Sequence, residues 1–332
     1  MAKSYSIEPL ELPVGLPSEQ AMKVNNHNRH SYDPEMWDFE YSVHRPLQSM
    51  TDEALARRYV GVRKGLRSHL KTGRVDCPIN LYHGPWYWYW YRAEHCARLE
   101  FKIRGIDPPE LTDAVKGSKC PVEVSERFPI GEEVLFKYTK LKYAKNLRDF
   151  GELMVSPATS YLGAENNAAQ QDDERRKSRL IPKHAAKIVT EQGEEIRPIS
   201  DVTSTVSGPD YHQTSFSTVW DEAMFDEFEC DSCVVIGNPT GFFNAAELAG
   251  QQGYPNWYFM HANISYFDPS YVGLNERLDA ALSKDFRYAF QREYRLFWAQ
   301  INAAAVPEAQ LLKVDISSSK IQVFARDGSL IN

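Results

Sequence analysis

An α+β fold, with a mixed-sheet domain over residues 131–332 behind a helical, aromatic-rich domain over residues 1–130, is what three features of the sequence predict. Downstream of 130, short strand-like runs are separated by modest helices and loops, without the regular strand–helix alternation of a parallel sheet. Upstream, SMTDEALARRYVGVRKGLRSHLKTG places Leu55, Tyr59, Val62, Leu66 and Leu70 at helical spacing. Between the two, HGPWYWYWYRAEHCARLEFKIRG carries aromatics without a break from Trp86 to Tyr91.

Residues 1–48 are rich in Pro, Asn and His without helical or strand period, and read as an extended arm. The helix that follows has acids in its first turn and is expected to end at Gly73. Its Arg57, Arg58, Arg63, Lys64, Arg67 and Lys71 form either a solvated face or a surface for a polyanion. The Trp86–Tyr91 run reads as a helix buried on several sides; the competing reading is a base-stacking platform beside Arg92, Arg98, Lys102 and Arg104. Prolines 108, 109, 121 and 129 mark a connector, and the boundary is placed near residue 130.

After it come a strand at Val134–Tyr138, a helix closed by Gly151 and a strand in ELMVSPATSY. This unit brings Lys137, Tyr138, Ser156, Ser160 and Tyr161 into one neighbourhood. AENNAAQQDDERRKSRL reads as a mobile lid or an exposed helix, and KIVTEQGEEIRPI as a hairpin about Gln192 and Gly193. Tyr211–Ser217 reads as a strand, WDEAMFDEF as a helix, CDSCVVIGN as a buried strand and TGFFNAAELAGQQ as a helix. ANISYFD is expected to be a strand, LNERLDAALSK a helix, and LLKVDI with IQVFAR a closing strand pair.

Composition excludes several classes. Hydrophobic residues at 42% and charged residues at 25% are those of a globular chain, and the net charge of −7 argues against indiscriminate polyanion binding. Five scattered cysteines do not suggest a disulfide framework, and Cys230-x-x-Cys233 lacks a second ligand pair, so no metal is assigned. No apolar run spans a bilayer and the first residues lack a signal-peptide core, which predicts a cytoplasmic protein with no membrane partner. GNPTG is not a dinucleotide fingerprint, and no phosphate-cradling Gly-rich loop ends in Lys-Ser/Thr.

The stretch with the most chemistry is KDFRYAFQREYRLFWAQ, Lys284–Gln300, read as one long strand. Alternation places Gln291, Glu293, Arg295 and Phe297 on one face. The bland interpretation is an amphipathic strand whose Glu293 pairs with Arg292 or Arg295.

In order along the chain, LFKYTK, GELMVSPATSY, TSFST and FQREYR resemble the motifs of the bacterial ADP-ribosyltransferase superfamily, toxin and phage-defence members included. These are a basic residue beside an aromatic on the first strand, Ser-x-Ser/Thr on a second, and Gln-x-Glu on a third. The resemblance spans residues 131–300 and implies an ADP-ribosyltransferase-like mixed sheet and mono-ADP-ribosyl transfer from NAD, a pentosyl transfer without metal. Glu293 would be the catalytic acid at the nicotinamide ribose and Gln291 would face the acceptor. Ser215 and Ser217 would support Glu293 and the nicotinamide. Lys137, beside Tyr138, would contact the ribose or phosphates; it stands where Arg or His is usual and supplies a point charge, not a fork. Tyr161, with Ser156 and Ser160 nearby, would stack on nicotinamide.

NAD would be consumed as substrate. Cleavage of the nicotinamide–ribose bond develops oxocarbenium character, and a carboxylate at the sugar stabilises it. The resemblance further implies a macromolecular acceptor, protein or RNA/DNA, and an antitoxin partner if the chain is a toxin or anti-phage effector. The alternatives are an NAD glycohydrolase using the same Glu293, and a non-enzymatic nucleic-acid or protein binding module.

Overall fold

The computed structural model describes residues 34–71, 89–110, 120–129, 133–162, 173–181, 186, 188–270, 278–300 and 308–332. The fold is mixed α+β with a large antiparallel sheet. The expected arm before residue 34, Gly73, Trp86–Trp88 and the boundary at 130 lie outside the described residues.

Among the described residues three helices come first: α1 (Pro34–His44), which corrects the extended arm expected over residues 1–48, then α2 (Asp52–Lys71) and α3 (Tyr89–Arg104). Thr51 Oγ1 accepts from Ala54 N at 3.2 Å and opens α2, and Gly105, at φ 69, follows the end of α3. Leu55, Tyr59, Val62 and Leu66 are buried, as the period predicts. Tyr89, Trp90 and Tyr91 are all buried as well, packed with Trp37 and Val62 against Ile264, Tyr266, Phe286 and Tyr288. The described part of the aromatic run is therefore core, not an exposed stacking platform. The helices also share this core with the chain leading into Glu293.

The basic face of α2 is largely consumed by ion pairs. Arg58 is buried on Asp268, Arg63 pairs with Glu94 at 2.7 Å and Lys64 with Glu227 at 2.5 Å, while Arg57 is exposed. The side chains of Arg67 and Lys71 lie outside the described residues. A short helix α4 (Val122–Arg127) interrupts the run expected to be a connector and leads to β1 (Leu135–Thr139), α5 (Leu141–Phe150) and β2 (Glu152–Pro157), these three close to expectation. Gly151 closes α5 at φ 64, and a Cβ there would meet Val314 O at 2.0 Å, so the position requires glycine twice over.

The middle of the chain holds β3 (Arg176–Ile181), β4 (Ile188–Val189), β5 (Glu195–Ile196), β6 (Val202–Ser207) and β7 (His212–Ser217). The expected hairpin is β4–β5, with Gly193 at φ 87 in its turn. The run anticipated as lid or helix instead ends in β3, which pairs with β6 from Arg176↔Ser207 to Ile181↔Val202. Alternating side chains in RKSRLI fit a two-stranded ribbon.

Beyond these lie α6 (Ala223–Glu227), β8 (Ser232–Ile236), α7 (Pro239–Gly253), β9 (Trp257–Asn263), β10 (Ser265–Phe267), β11 (Ser283–Asp285), β12 (Glu293–Gln300), β13 (Gln310–Lys313), β14 (Ile321–Ala325) and β15 (Leu330–Ile331). Four expectations are corrected here. ANISYFD is not one strand: it breaks at Ile264 between β9, which pairs with β12, and β10, which pairs with β11. Of the LNERLDAALSK helix, the described residues 278–282 form a turn, fixed by Asp279 Oδ1 accepting from Ala281 N and Leu282 N. LLKVDI and IQVFAR do not pair together: β13 joins β2, and β14 joins β8 and β15. The long Gln-x-Glu strand is interrupted by a 3₁₀ helix, Phe286–Gln291, and β12 starts at Glu293.

β7 is the hub. Its whole length pairs with β12 along one edge, whereas the other edge is divided between β2 at Gln213 and His212 and β1 at Ser217. Under one face α5 and α7 bury Leu147, Phe242 and Ala246 against Phe216, Leu296 and Trp298. Strand alternation sends Ser215, Ser217, Glu293 and Arg295 to the other face.

Candidate active site

Glu293 is buried on that second face, 4% exposed, at the first residue of β12. Its strand partner is Ser217, yet the hydroxyl that reaches it belongs to Ser215, one diagonal away on β7. Ser215 Oγ donates to Glu293 Oε1 at 2.6 Å. Arg295, two residues on and on the same face, donates from Nε to the same oxygen at 2.9 Å. Lys284 Nζ donates to Oε2 at 2.9 Å and to Gln291 Oε1 at 3.1 Å. Tyr266 Oη accepts from the Glu293 backbone N–H at 2.8 Å and fixes where the strand begins.

Glu174 completes the buried charge network. It lies 2.8 Å from Arg295 Nη2, 3.4 Å from Lys284 Nζ and 3.7 Å from Lys177 Nζ. Tyr211 Oη accepts from Arg295 Nη1 at 3.0 Å and donates to the Glu174 carbonyl at 3.2 Å. Burial by itself would raise the pKa of Glu293, but Arg295, then Lys284 and the Ser215 hydrogen bond, hold the carboxyl well below the usual carboxylate range.

A pocket of about 140 Å³ opens over this carboxylate. Lys137, Tyr138, Tyr161, Ser215, Ser217, Gln291 and Glu293 all line it, together with Glu174 and Lys284. Seven of the sequence-derived site residues thus come together, although they do not arrive as the motif pattern suggests. Gln291 ends the 3₁₀ helix, and Arg292, at φ 45, turns the chain into β12; Gln291 and Glu293 meet through their shared Lys284 rather than through strand alternation. Lys137 belongs by alternation to the face of Thr214 and Phe216. It enters because β1 touches β7 only at Phe136↔Ser217 and then diverges, so the ammonium rises through the gap. There Nζ donates to Thr214 Oγ1 at 2.7 Å and to the Ser215 carbonyl at 3.2 Å, 4.9 Å from the centre of the Phe216 ring.

Other expected roles shift. Ser217 Oγ donates to the Val219 carbonyl at 3.0 Å and supports a turn, not Glu293. Tyr138 Oη does the same work, donating to Val219 O at 3.1 Å and accepting from Asp221 N at 2.6 Å. Tyr161 lines the pocket; burial, then the charge of Glu174, pushes its hydroxyl up to about 12, so it stays neutral. Ser156 and Ser160 are not brought in: Ser156 sits in the β2–β7 ladder opposite Gln213, and Ser160 Oγ donates to the Pro157 carbonyl at 2.7 Å.

Sequence reading missed Glu174 and Lys284, which carry no local signal, while Arg295 was legible only as an ion-pair partner at the i+2 position. The arrangement can hold a permanently charged carboxylate beside an amine in a small, aromatic-walled pocket. Among the described residues no group of three or more His, Cys, Asp or Glu is placed to hold a metal ion, and no helix is long and apolar enough to cross a membrane. No protein-family model, no curated protein and no solved structure matches this chain.

Proposed function

We propose that the pocket cleaves the nicotinamide–ribose bond of NAD and transfers ADP-ribose to a macromolecular acceptor, with Glu293 as the catalytic carboxylate. The observation that carries this reading is the state of Glu293. A carboxylate has about four acceptor positions. Ser215 and Arg295 take two on Oε1 and Lys284 takes one on Oε2, which leaves one position on Oε2 for a ligand hydroxyl.

A carboxyl held this far below its usual range is a poor proton acceptor at neutral pH. It is suited instead to remain an anion while positive charge develops on a neighbouring sugar. Nicotinamide leaves as a neutral molecule, so the site needs no acid to protonate it. Ser215 and Arg295 are positioning residues: they fix Oε1 and so aim Oε2. Tyr161 supplies a flat neutral ring for the nicotinamide.

A protein side chain is the acceptor class this chain supports better. The features that would have recognised nucleic acid are, where described, occupied otherwise: Tyr89–Tyr91 in core, and Arg58, Arg63 and Lys64 in ion pairs. Incubating the full chain with NAD labelled in the adenylate tests the reading. Release of nicotinamide with label on protein supports transfer, free ADP-ribose identifies a glycohydrolase, and intact NAD removes the proposal.

A further inference from the structure

We propose that Lys137, as its neutral amine, is the group that takes the proton from the attacking acceptor. This rests on the reading of Glu293 as the carboxylate of an NAD-cleaving site.

The step requires a proton acceptor, and Glu293 is a poor one. Three of its acceptor positions are filled by Ser215, Arg295 and Lys284, and these partners hold it as a weak base. Lys137 lines the same pocket from the gap between β1 and β7. Two of the three positions on Nζ go to Thr214 Oγ1 and the Ser215 carbonyl, which leaves one for a ligand of the pocket that Lys137 lines. Those two contacts fix the nitrogen as a base must be fixed. The other titratable groups lining the pocket are Glu293, Glu174, Lys284, Tyr138 and Tyr161. Burial lowers the Lys137 pKa and the Glu293 charge opposes it, leaving the amine at about 8, a value that supplies both protonation states near neutrality. An arginine here could hold a phosphate but could not accept a proton.

The chemistry balances without a further reagent. The C1′–N bond breaks with both electrons going to the pyridine nitrogen, and nicotinamide departs neutral. A lone pair on the acceptor nitrogen or oxygen forms the new bond to C1′, and the acceptor proton passes to the Lys137 lone pair. The resulting ammonium then returns that proton to water, while Glu293 remains an anion throughout.

The test compares full-length wild type with K137R and K137M for nicotinamide release across pH 6 to 10, with and without added ethylamine, alongside NMR titration of Lys137 in ¹³C-methylated protein. Turnover by wild type should rise with pH to a plateau with an apparent pKa near 8. Both variants should lose about 10²–10⁴-fold in kcat, the range for a general base. K137R should keep the KM for NAD, and ethylamine should restore part of the K137M rate. A K137R enzyme with near-wild-type kcat would show a fixed cation on the phosphates and overturn the base role alone. A Lys137 amine titrating at its ordinary value, about 10.4, overturns it without reference to turnover. No nicotinamide release by wild type removes the NAD reading itself, and the base role with it.

Discussion

Arg58 and Asp268 are joined by two parallel hydrogen bonds of 2.6 and 2.7 Å, 210 residues apart in sequence and both buried. Tyr89 Oη adds a third bond to Asp268 Oδ2 at 2.7 Å. α2, α3 and the segment after β10 are therefore locked at one point, next to the core formed by Phe286 and Tyr288. Arg58→Ala leaves a buried carboxylate facing only Tyr89 and backbone, and should cost about 3–5 kcal/mol. Arg58→Lys should recover little, since one ammonium cannot replace the fork. Urea denaturation of both variants checks this, and a loss below about 1 kcal/mol for Arg58→Ala would mean the pair contributes no more than an exposed one.

Glu293→Gln leaves the buried Arg295 and Lys284 with Glu174 as their remaining carboxylate, so it should lower stability while reducing NAD turnover by about 10²–10³, the scale for one transition-state stabiliser. Ser215→Ala removes a hydrogen bond to a charged group, worth about 1.5–3 kcal/mol, and should lower turnover by about 10–100-fold with a smaller change in KM. Nicotinamide release and near-UV circular dichroism, measured together, separate chemistry from unfolding. Full turnover in Glu293→Gln would leave the carboxylate with a structural role only.

Lys137 makes stability depend on alkaline pH. Its folded pKa of about 8 lies below the ordinary lysine value, so between the two the unfolded chain binds more protons and stability rises with pH. Below about 8 both states are protonated and the cost of burying the ammonium is constant. Wild type should therefore gain on K137M between pH 8 and 10, and the gap should be flat from pH 6 to 7. Guanidinium titrations at those pH values decide it, and a gap independent of pH would contradict the depressed lysine.

Gly65 sits in α2 against the fully buried Trp90, and a Cβ there would fall 2.3 Å from the indole ring. Alanine in place of glycine favours a helix by about 1 kcal/mol. Overpacking a closed core costs about 1–3 kcal/mol, and a ring without free space lies at the upper end. Gly65→Ala should therefore lower Tm despite its better helix propensity. Combining it with Trp90→Leu, which opens space, should show a favourable coupling between the two changes in thermal unfolding.

The sequence determined the elements whose signals are local. Helical spacing from Leu55 to Leu66 placed α2, and glycine after LKYAKNLRDF placed the end of α5. The all-apolar CVVI run marked β8, and the Gln192–Gly193 turn marked the β4–β5 hairpin. It also nominated Glu293, Ser215 and Lys137, because their residue types and order along the chain are readable without coordinates.

Only the tertiary structure decided how they meet. Gln291 and Glu293 read as strand neighbours, but Arg292 at positive φ and the 3₁₀ turn before it are set by Phe286 and Ala289 packing under α2 and α3, a contact between distant segments. Lys284 and Glu174 join Glu293 for the same reason: a buried carboxylate must find cations, and which ones lie within reach depends on chain paths that local pattern does not encode. Lys137 reaches the pocket because β1 and β2 divide one edge of β7 and leave a gap. Strand alternation alone would have sent it to the opposite face.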